Sequence, residues 1–187
     1  MPRIVVSRQV KILGNPPGVN ELGELIERAV AKLPPRVRQF LEGKWLGHPL
    51  HPLLTDLPIG FWTTSWVLDL LGRKRSARTA TAMVGLGVAT AVPTIAAGAV
   101  DWTTLPDEKK ETGLLHMVCN AIATGLYLMS FFARLRGRRG KGIALGMLGA
   151  SAATVGGYLG GHLVFGSNDE DEVSDAQDAA SVTRLAG

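Results

Sequence analysis

The stretch GHPLHPLLTDLPIGFW, residues 47–62, opens the most apolar part of the chain, and the interpretation of the fold starts from it. It places two imidazoles, one carboxylate and three prolines at the beginning of an apolar run. Proline fixes its own φ and lacks an N–H, so these prolines predict a kinked or extended entry into a helix. Ionisable groups at the edge of a membrane span carry a solvation cost, and a functional site is their default interpretation.

Four apolar segments follow from this entry, and each is close to the roughly 20 residues that a bilayer core requires. They cover approximately residues 53–71, 79–100, 113–133 and 142–165. The connections between them are short, which makes neighbouring segments antiparallel. We therefore predict an all-α fold, an integral membrane four-helix bundle preceded by an amphipathic interfacial helix.

The rest of the chain divides into three further parts. Residues 1–19 include a Pro-Pro-Gly sequence and predict a flexible arm. Residues 20–46 carry apolar side chains at helical spacing opposite charged ones, which predicts amphipathic helices on the membrane surface; a soluble helix packed on the domain is the alternative. The membrane domain then covers residues 47–166, and the acidic, small-residue stretch 167–187 predicts a disordered tail.

The distribution of charge favours a membrane protein over a nucleic-acid-binding one. The net charge is +4, and the tightest basic clusters lie in the short loops after the first and third apolar segments. The positive-inside rule explains clusters at these places, so we expect a lipid bilayer and no nucleic acid as partner. The same rule puts both termini on the extracytoplasmic side, although a basic N-terminal region would then cross without a signal peptide. The single cysteine, Cys119, excludes an intrachain disulfide.

The order of the spans brings all four histidines to one side of the membrane. His48 and His51 begin the first span, His116 begins the third, and His162 lies in the last turns of the fourth. Neutral imidazoles from facing helices suit axial ligation of the iron of haem b, or binding of a divalent metal ion, between His116, His162 and one of His48 or His51. His51 is the better candidate of the last two, because it lies nearer the apolar run, and a metal ion would be held by His51, His116 and His162. Taken singly, each histidine is more simply a hydrogen-bonded residue at the membrane interface. Together they predict a polar site. We expect this site to lie on the extracytoplasmic side of the membrane, the same side as the two chain termini.

Four polar residues could orient these imidazoles through hydrogen bonds, as ligating histidines require. They are Asp56, Asp101, Asn120 and Tyr158. The chain has no CxxCH sequence, so any haem would be bound non-covalently. It also has no P-loop and no Ser-His-Asp order, so catalytic residues stay unassigned and the chain is not expected to be an enzyme on its own.

Two other features receive structural interpretations. Asp69 lies one turn before Arg73, and an ion pair at the membrane face is the simplest explanation for it. Trp62 and Trp66 share one face of the first span, where packing is a better explanation than stacking on a cofactor.

Five motifs occur together in the apolar part of the chain: WLGHPLHP (45–52), TDLPIG (55–60), AVDW (99–102), GLLH (113–116) with Asn120, and YLGGHL (158–163). Together they resemble the bacterial membrane family called domain of unknown function 2231. The resemblance covers approximately residues 41–165 and implies a bacterial cytoplasmic (inner) membrane location. It also implies a redox setting, because relatives are often joined to, or encoded with, Rieske-type iron–sulfur domains. This chain has one cysteine, whereas a Rieske cluster needs two cysteines and two histidines.

Three functions fit these observations. The first is a redox-associated multi-pass membrane protein that binds haem b or a divalent metal in its histidine layer. The second is a non-catalytic membrane anchor or subunit, which recruits a Rieske-type or other soluble electron-transfer protein. The third is a small transporter, disfavoured because no inverted repeat is visible and no charged residue reaches the centre of a span. The sequence alone determines neither the identity of the cofactor nor whether the chain forms a homo-oligomer.

Overall fold

The structure is a computed structural model, which describes the backbone of residues 19–72 and 74–185 and the side chains of residues 21–72 and 76–165. The described residues form six helices and no strand, so the all-α prediction is confirmed. In chain order the helices are α1 (Val19–Ala31), α2 (Pro35–Leu41), α3 (Leu50–Leu70), α4 (Lys74–Trp102), α5 (Asp107–Leu135) and α6 (Arg139–Leu185).

Three of these helices contain a segment long and apolar enough to cross a membrane. The segments are Ser76–Trp102 in α4, Asp107–Leu135 in α5 and Arg139–Phe165 in α6. Although α3 has 21 residues, it is not among them, since two aspartates, one histidine, three threonines and a serine interrupt its apolar sequence. Three spans are therefore supported within the described residues, and the predicted four-span bundle is not confirmed because α3 is too polar by this measure.

The two ends of the chain bear differently on the predictions. The predicted flexible arm lies outside the described residues, except for Val19 at the start of α1. At the other end, where the sequence predicts a disordered tail, α6 continues as a helix to Leu185. Residues 167–185 contain neither proline nor glycine, so no residue there interrupts the helix, and the structure differs from the prediction for that reason.

The four long helices form two hairpins. α3 packs along α4 and α5 packs along α6, and these are the most extensive contacts between helices. Contacts between α4 and α5 join the two hairpins, whereas α3 and α6 touch each other only sparsely. The bundle is therefore closed on one side and more open on the side between α3 and α6.

Two helices, α3 and α5, supply the larger side chains of the interior. Each carries a row of non-exposed residues separated alternately by four and three positions, which is the spacing of a heptad seam. Each residue of the α5 row lies 65 positions after its counterpart in α3. The α3 row is His51, Thr55, Pro58, Trp62, Ser65 and Asp69, and the α5 row is His116, Asn120, Ala123, Tyr127, Ser130 and Arg134.

The other two helices, α4 and α6, supply smaller side chains at the same levels. Their rows have the same heptad spacing, and each residue of the α6 row lies 62 positions after its counterpart in α4. Several of these positions are glycine because an added Cβ would collide with a large residue of the paired helix. The α4 row is Ala80, Val84, Gly87, Ala91, Thr94 and Gly98, and the α6 row is Gly142, Gly146, Gly149, Ala153, Gly156 and Gly160.

Corresponding residues of α3 and α5 meet at the centre of the bundle. Because residues at the same level face each other, α3 and α5 run in the same direction, and a pseudo-two-fold axis parallel to the helices relates the interior rows of the two hairpins, although α4 packs on α5 more extensively than α3 packs on α6. An internal repeat of this kind, with its axis along the membrane normal, occurs in other membrane proteins. The pairs in contact are His51–His116, Trp62–Tyr127 and Asp69–Arg134.

The Asp69–Arg134 pair closes the end of the bundle opposite the histidines. Asp69 Oδ2 accepts a hydrogen bond from Nη2 of Arg134 at 2.7 Å, and its Oδ1 accepts one from Nη2 of Arg139 at 3.2 Å. The side chains of Asp69 and Arg134 are only 5% and 3% exposed. Arg73, the partner expected from the sequence, lies outside the described residues. The partners of Asp69 that the structure describes are Arg134 in α5 and Arg139 in α6.

Candidate functional site

His51 lies in the first turn of α3, two residues after the N-cap residue Pro49. Pro52 follows it without cost, because the first N–H groups of a helix have no intrahelical acceptor. The Nδ1 atom of His51 lies 2.9 Å from the carbonyl oxygen of Thr94 in α4. A carbonyl oxygen can only accept a hydrogen bond, so Nδ1 must be protonated and act as the donor. In a neutral ring with this tautomer, Nε2 keeps its lone pair.

His116 makes the corresponding contact in the second hairpin. Its Nδ1 atom lies 2.7 Å from the carbonyl oxygen of Gly156 in α6, which assigns the same tautomer. Asn120, one turn later, donates through Nδ2 to the carbonyl of His116 at 2.9 Å and lies 3.3 Å from Nε2 of the same imidazole. The prediction that Asn120 lies beside this imidazole therefore matches the geometry.

The two imidazoles face each other across the pseudo-two-fold axis. Their ring centroids are 6.1 Å apart and their planes are nearly perpendicular, at 89°. Both side chains are half-buried at the end of the bundle. The site that the structure assembles is thus a pair of imidazoles, one from each hairpin, in which each Nδ1 donates to a backbone carbonyl and Nε2 of His116 lies beside Nδ2 of Asn120.

The other two histidines lie apart from this pair. His48 is exposed and precedes α3, and within the described residues no contact joins it to His51 or His116. His162 is half-buried on α6, two residues after Gly160, and this separation turns it about 200° around the helix from the interior row. The predicted layer of four histidines is therefore represented by one contacting pair.

The remaining candidates lie in different surroundings. Asp56 is exposed on α3, and the side chain of Tyr158 is 60% exposed on α6. Asp101 is half-buried near the end of α4. In the part of the chain that the structure describes, no hydrogen bond joins any of these three to an imidazole.

The donor set limits which group the pair can hold. No cluster of three or more His, Cys, Asp or Glu side chains is placed to bind a metal ion among the described residues. A metal centre at His51 and His116 would thus have two protein ligands. Its other ligands would come from water or from a prosthetic group.

The sequence interpretation missed the residues on which the imidazoles rest. An added Cβ at Gly98 would lie 2.8 Å from Nδ1 of His51, and one at Gly160 would lie 3.0 Å from Nδ1 of His116. Both rings are therefore packed closely against a glycine of the paired helix. The alternation of four and three residues along all four helices is the signal that could have identified these positions.

The N-terminal helices cover part of the same end of the bundle. Gly23 in α1 packs on the ring of Trp102, and an added Cβ there would lie 3.1 Å from it. Lys110 forms an ion pair with Glu27 at 3.0 Å. On the outward face, Phe40 and Trp45 stack with centroids 5.6 Å apart and are more than half exposed.

Comparison with known families identifies the membrane domain. Residues 47–168, which is 122 of the 187 residues, match the family described as "Predicted membrane protein (DUF2231)". The chain belongs to this family. The match covers α3, α4 and α5 and the membrane segment of α6, and it confirms the family resemblance and the membrane character predicted from the sequence.

The DUF2231 description includes no activity, cofactor or partner. Neither the curated proteins nor the solved structures compared with the chain contain a match to it. The association with Rieske-type proteins, the particular membrane and the orientation therefore stay predictions.

Proposed function

We propose that this protein binds a redox-active metal centre, haem b or a transition-metal ion, between His51 and His116. The observation that carries the proposal is the matched pair of imidazoles at 6.1 Å, each with Nδ1 donating to a backbone carbonyl. Two imidazoles on opposite sides of one metal, bound through Nε2 at about 2.0 Å, have ring centroids roughly 6 Å apart. Spacing and tautomer both agree with such a centre.

Haem suits this donor set better than a bare ion. A haem iron receives four nitrogens from the porphyrin and needs only two axial ligands from the protein, which is the number that His51 and His116 supply. A structural or catalytic zinc site takes three or four protein ligands, and the described residues offer no such group. Bound haem would supply one-electron chemistry, while the Thr94 and Gly156 carbonyls would hold the imidazoles in the ligating tautomer.

The proposed site serves one face of the membrane. His51 and His116 lie at one end of the bundle, and the other end holds the ion pair of Asp69 with Arg134 and Arg139. A second histidine pair, which transmembrane electron transfer would favour, is not found at that end among the described residues. The site would thus exchange electrons with a partner at its own face, which the positive-inside rule makes extracytoplasmic.

A non-catalytic anchor for a soluble electron-transfer protein is the second candidate. The observation that favours it is the exposed surface of the N-terminal helices, where Leu25, Phe40 and Trp45 are 58%, 55% and 60% exposed. In that case the two imidazoles would serve only to hold the two helices of each hairpin together through their Nδ1 hydrogen bonds. The two candidate functions therefore differ in whether the Nε2 atoms of His51 and His116 bind a metal centre.

Asparagine variants separate the two candidates. The Nδ2 of asparagine can replace the Nδ1–H donor of histidine, but asparagine has no atom at the position of Nε2. We expect haemin added to the purified wild-type protein to give a six-coordinate, low-spin absorption spectrum. His51→Asn or His116→Asn should each lower haemin affinity at least about tenfold while retaining the fold.

His48→Asn and His162→Asn are the matched controls and should bind haemin like the wild type. The absence of both a Soret band and stoichiometric bound metal in the wild-type protein would contradict the proposal. Asparagine variants that match the wild type in every measurement would instead support the anchor.

A further inference from the structure

The support around each imidazole is repeated in the two hairpins. In the first hairpin Thr55 Oγ1 donates to the carbonyl of His51 at 2.8 Å, and in the second Asn120 makes the same bond to His116. The Nδ1 acceptors Thr94 and Gly156 also occupy corresponding places, 62 residues apart. Gly98 and Gly160 are the third repeated element and lie directly against the rings.

A side chain at either glycine position would prevent this arrangement. A Cβ on residue 98 would lie 2.8 Å from both Cε1 and Nδ1 of His51, and one on residue 160 would lie 2.8 Å from Cε1 of His116. Real Cβ atoms do not approach neighbours so closely, so the imidazole would have to move away from the carbonyl that holds it. Because the backbone carbonyl cannot follow, the hydrogen bond to Nδ1 would lengthen.

The next aromatic layer shows what the histidine layer does differently. Trp62 and Tyr127 also pack against glycines, Gly87 and Gly149, but their rings stack directly with centroids 4.0 Å apart and planes 8° apart. That stack leaves no space between the two rings. In the histidine layer each ring is instead bonded to its own hairpin, and the centroids stay 6.1 Å apart.

We infer that Gly98 and Gly160 are the positioning residues of the site, and that the two hairpins each present one imidazole to a single metal centre between them; the two surroundings differ in that only His116 has a side-chain amide, that of Asn120, beside its Nε2. This inference rests on the proposed function for the identity of the ligand. The positions of the imidazoles can be tested without any ligand. The ligand would be one that accepts two like axial donors, as haem iron does.

The experiment combines Gly98→Ala and Gly160→Ala with two control variants of the full-length protein. Gly60→Ala on α3 and Gly157→Ala on α6 are matched controls, because an added Cβ at either position meets nothing within 4 Å. The first readout is nitrogen NMR of labelled histidine in the ligand-free protein, which reports tautomer and hydrogen bonding. The second is haemin affinity, with the spin state of the complex measured from its absorption spectrum.

Gly98→Ala should shift the signals of His51 and leave those of His116 nearly unchanged, and Gly160→Ala should do the reverse. Each variant should weaken haemin binding by a similar factor, about 10- to 100-fold, and move the complex from low spin toward high spin. The two controls should match the wild type in both readouts.

Two results would overturn the inference, and a third would retain it while rejecting the proposed function. Haemin binding at wild-type strength by both alanine variants would overturn it, as would an effect confined to one hairpin. The predicted NMR shifts in a protein that binds no haemin would retain the positioning role and reject the proposed function. If the variants do not fold, the wild-type spectrum still tests equivalence: His51 and His116 should share Nδ1-protonated signals that differ from those of His48 and His162.

Discussion

The two hairpins, α3–α4 and α5–α6, share one pattern of large and small residues but differ in chemistry from one end to the other. At the histidine end they are the same, with an imidazole on a glycine in each. In the middle, tryptophan in one faces tyrosine in the other, and at the far end aspartate faces arginine. The halves are thus alike where a symmetric ligand would bind and complementary where they must bind each other.

The far end shows why complementarity is needed there. Identical charged residues on a two-fold axis would face each other and repel, whereas Asp69 and Arg134 attract, and in a low-dielectric interior neither charge is tolerated alone. Arg134 is further held by Ser130, whose Oγ accepts from its Nε at 3.2 Å. The corresponding positions of the two hairpins therefore carry opposite charges and form an ion pair that fastens one hairpin to the other.

The largest effect should come from breaking this ion pair. Arg134→Met removes the main partner of the buried Asp69 carboxylate, and we expect it to lower the free energy of unfolding by about 3–5 kcal/mol, as for other buried pairs. The measurement is SDS titration of the purified protein in mixed micelles. The exchanged variant, Asp69→Arg with Arg134→Asp, should recover about half of that loss if the two positions are equivalent. Exchange that is no better than the single substitution would argue against the pseudo-two-fold relation.

A smaller and unequal effect is expected from the glycines beneath the central stack. Gly87→Ala would force a methyl group into the indole of Trp62, while Gly149→Ala would place it 3.0 Å from Cδ2 of Tyr127. Both should destabilise by about 1–3 kcal/mol, with Gly87→Ala the larger, because the overlap is deeper and Trp62 is 7% exposed. Gly125→Ala has open space around it and is the control for helix propensity. Equal unfolding midpoints for all three variants would show that these glycines are not packing positions.

The smallest difference should separate two buried serines at corresponding positions. Ser130 Oγ donates to the carbonyl of Gly142 at 2.6 Å and accepts from Arg134, whereas Ser65 makes no side-chain hydrogen bond within the described residues. Ser130→Ala should cost about 1–3 kcal/mol because it leaves Nε of Arg134 unpaired, and Ser65→Ala should cost less than about 0.5 kcal/mol. The same SDS titration measures both. If Ser65→Ala lowered the free energy of unfolding more than Ser130→Ala, the conclusion that the polar network belongs to Ser130 and the second hairpin would be wrong.

Part of the candidate site was predictable from the sequence. Because consecutive apolar segments are antiparallel, the first and third run in the same direction and place His51 and His116 at the same end of the bundle. The position of Asn120, one helical turn after His116, follows from local sequence spacing alone. The roles of His48 and His162 were not predictable in the same way. Membership of a layer depends on height along the helix, whereas contact also depends on rotation around it, and His162 is turned away from the interior row.

The sequence by itself determined that the chain is helical and that it belongs in a membrane. These properties depend on composition and periodicity, which are local along the chain. Only the tertiary structure decided that α3 and α5 face each other, that Asp69 pairs with Arg134, and that glycines in α4 and α6 receive the two imidazoles. Those relations join residues 44 to 65 positions apart, and they depend on how helices are rotated against one another, which no single segment specifies.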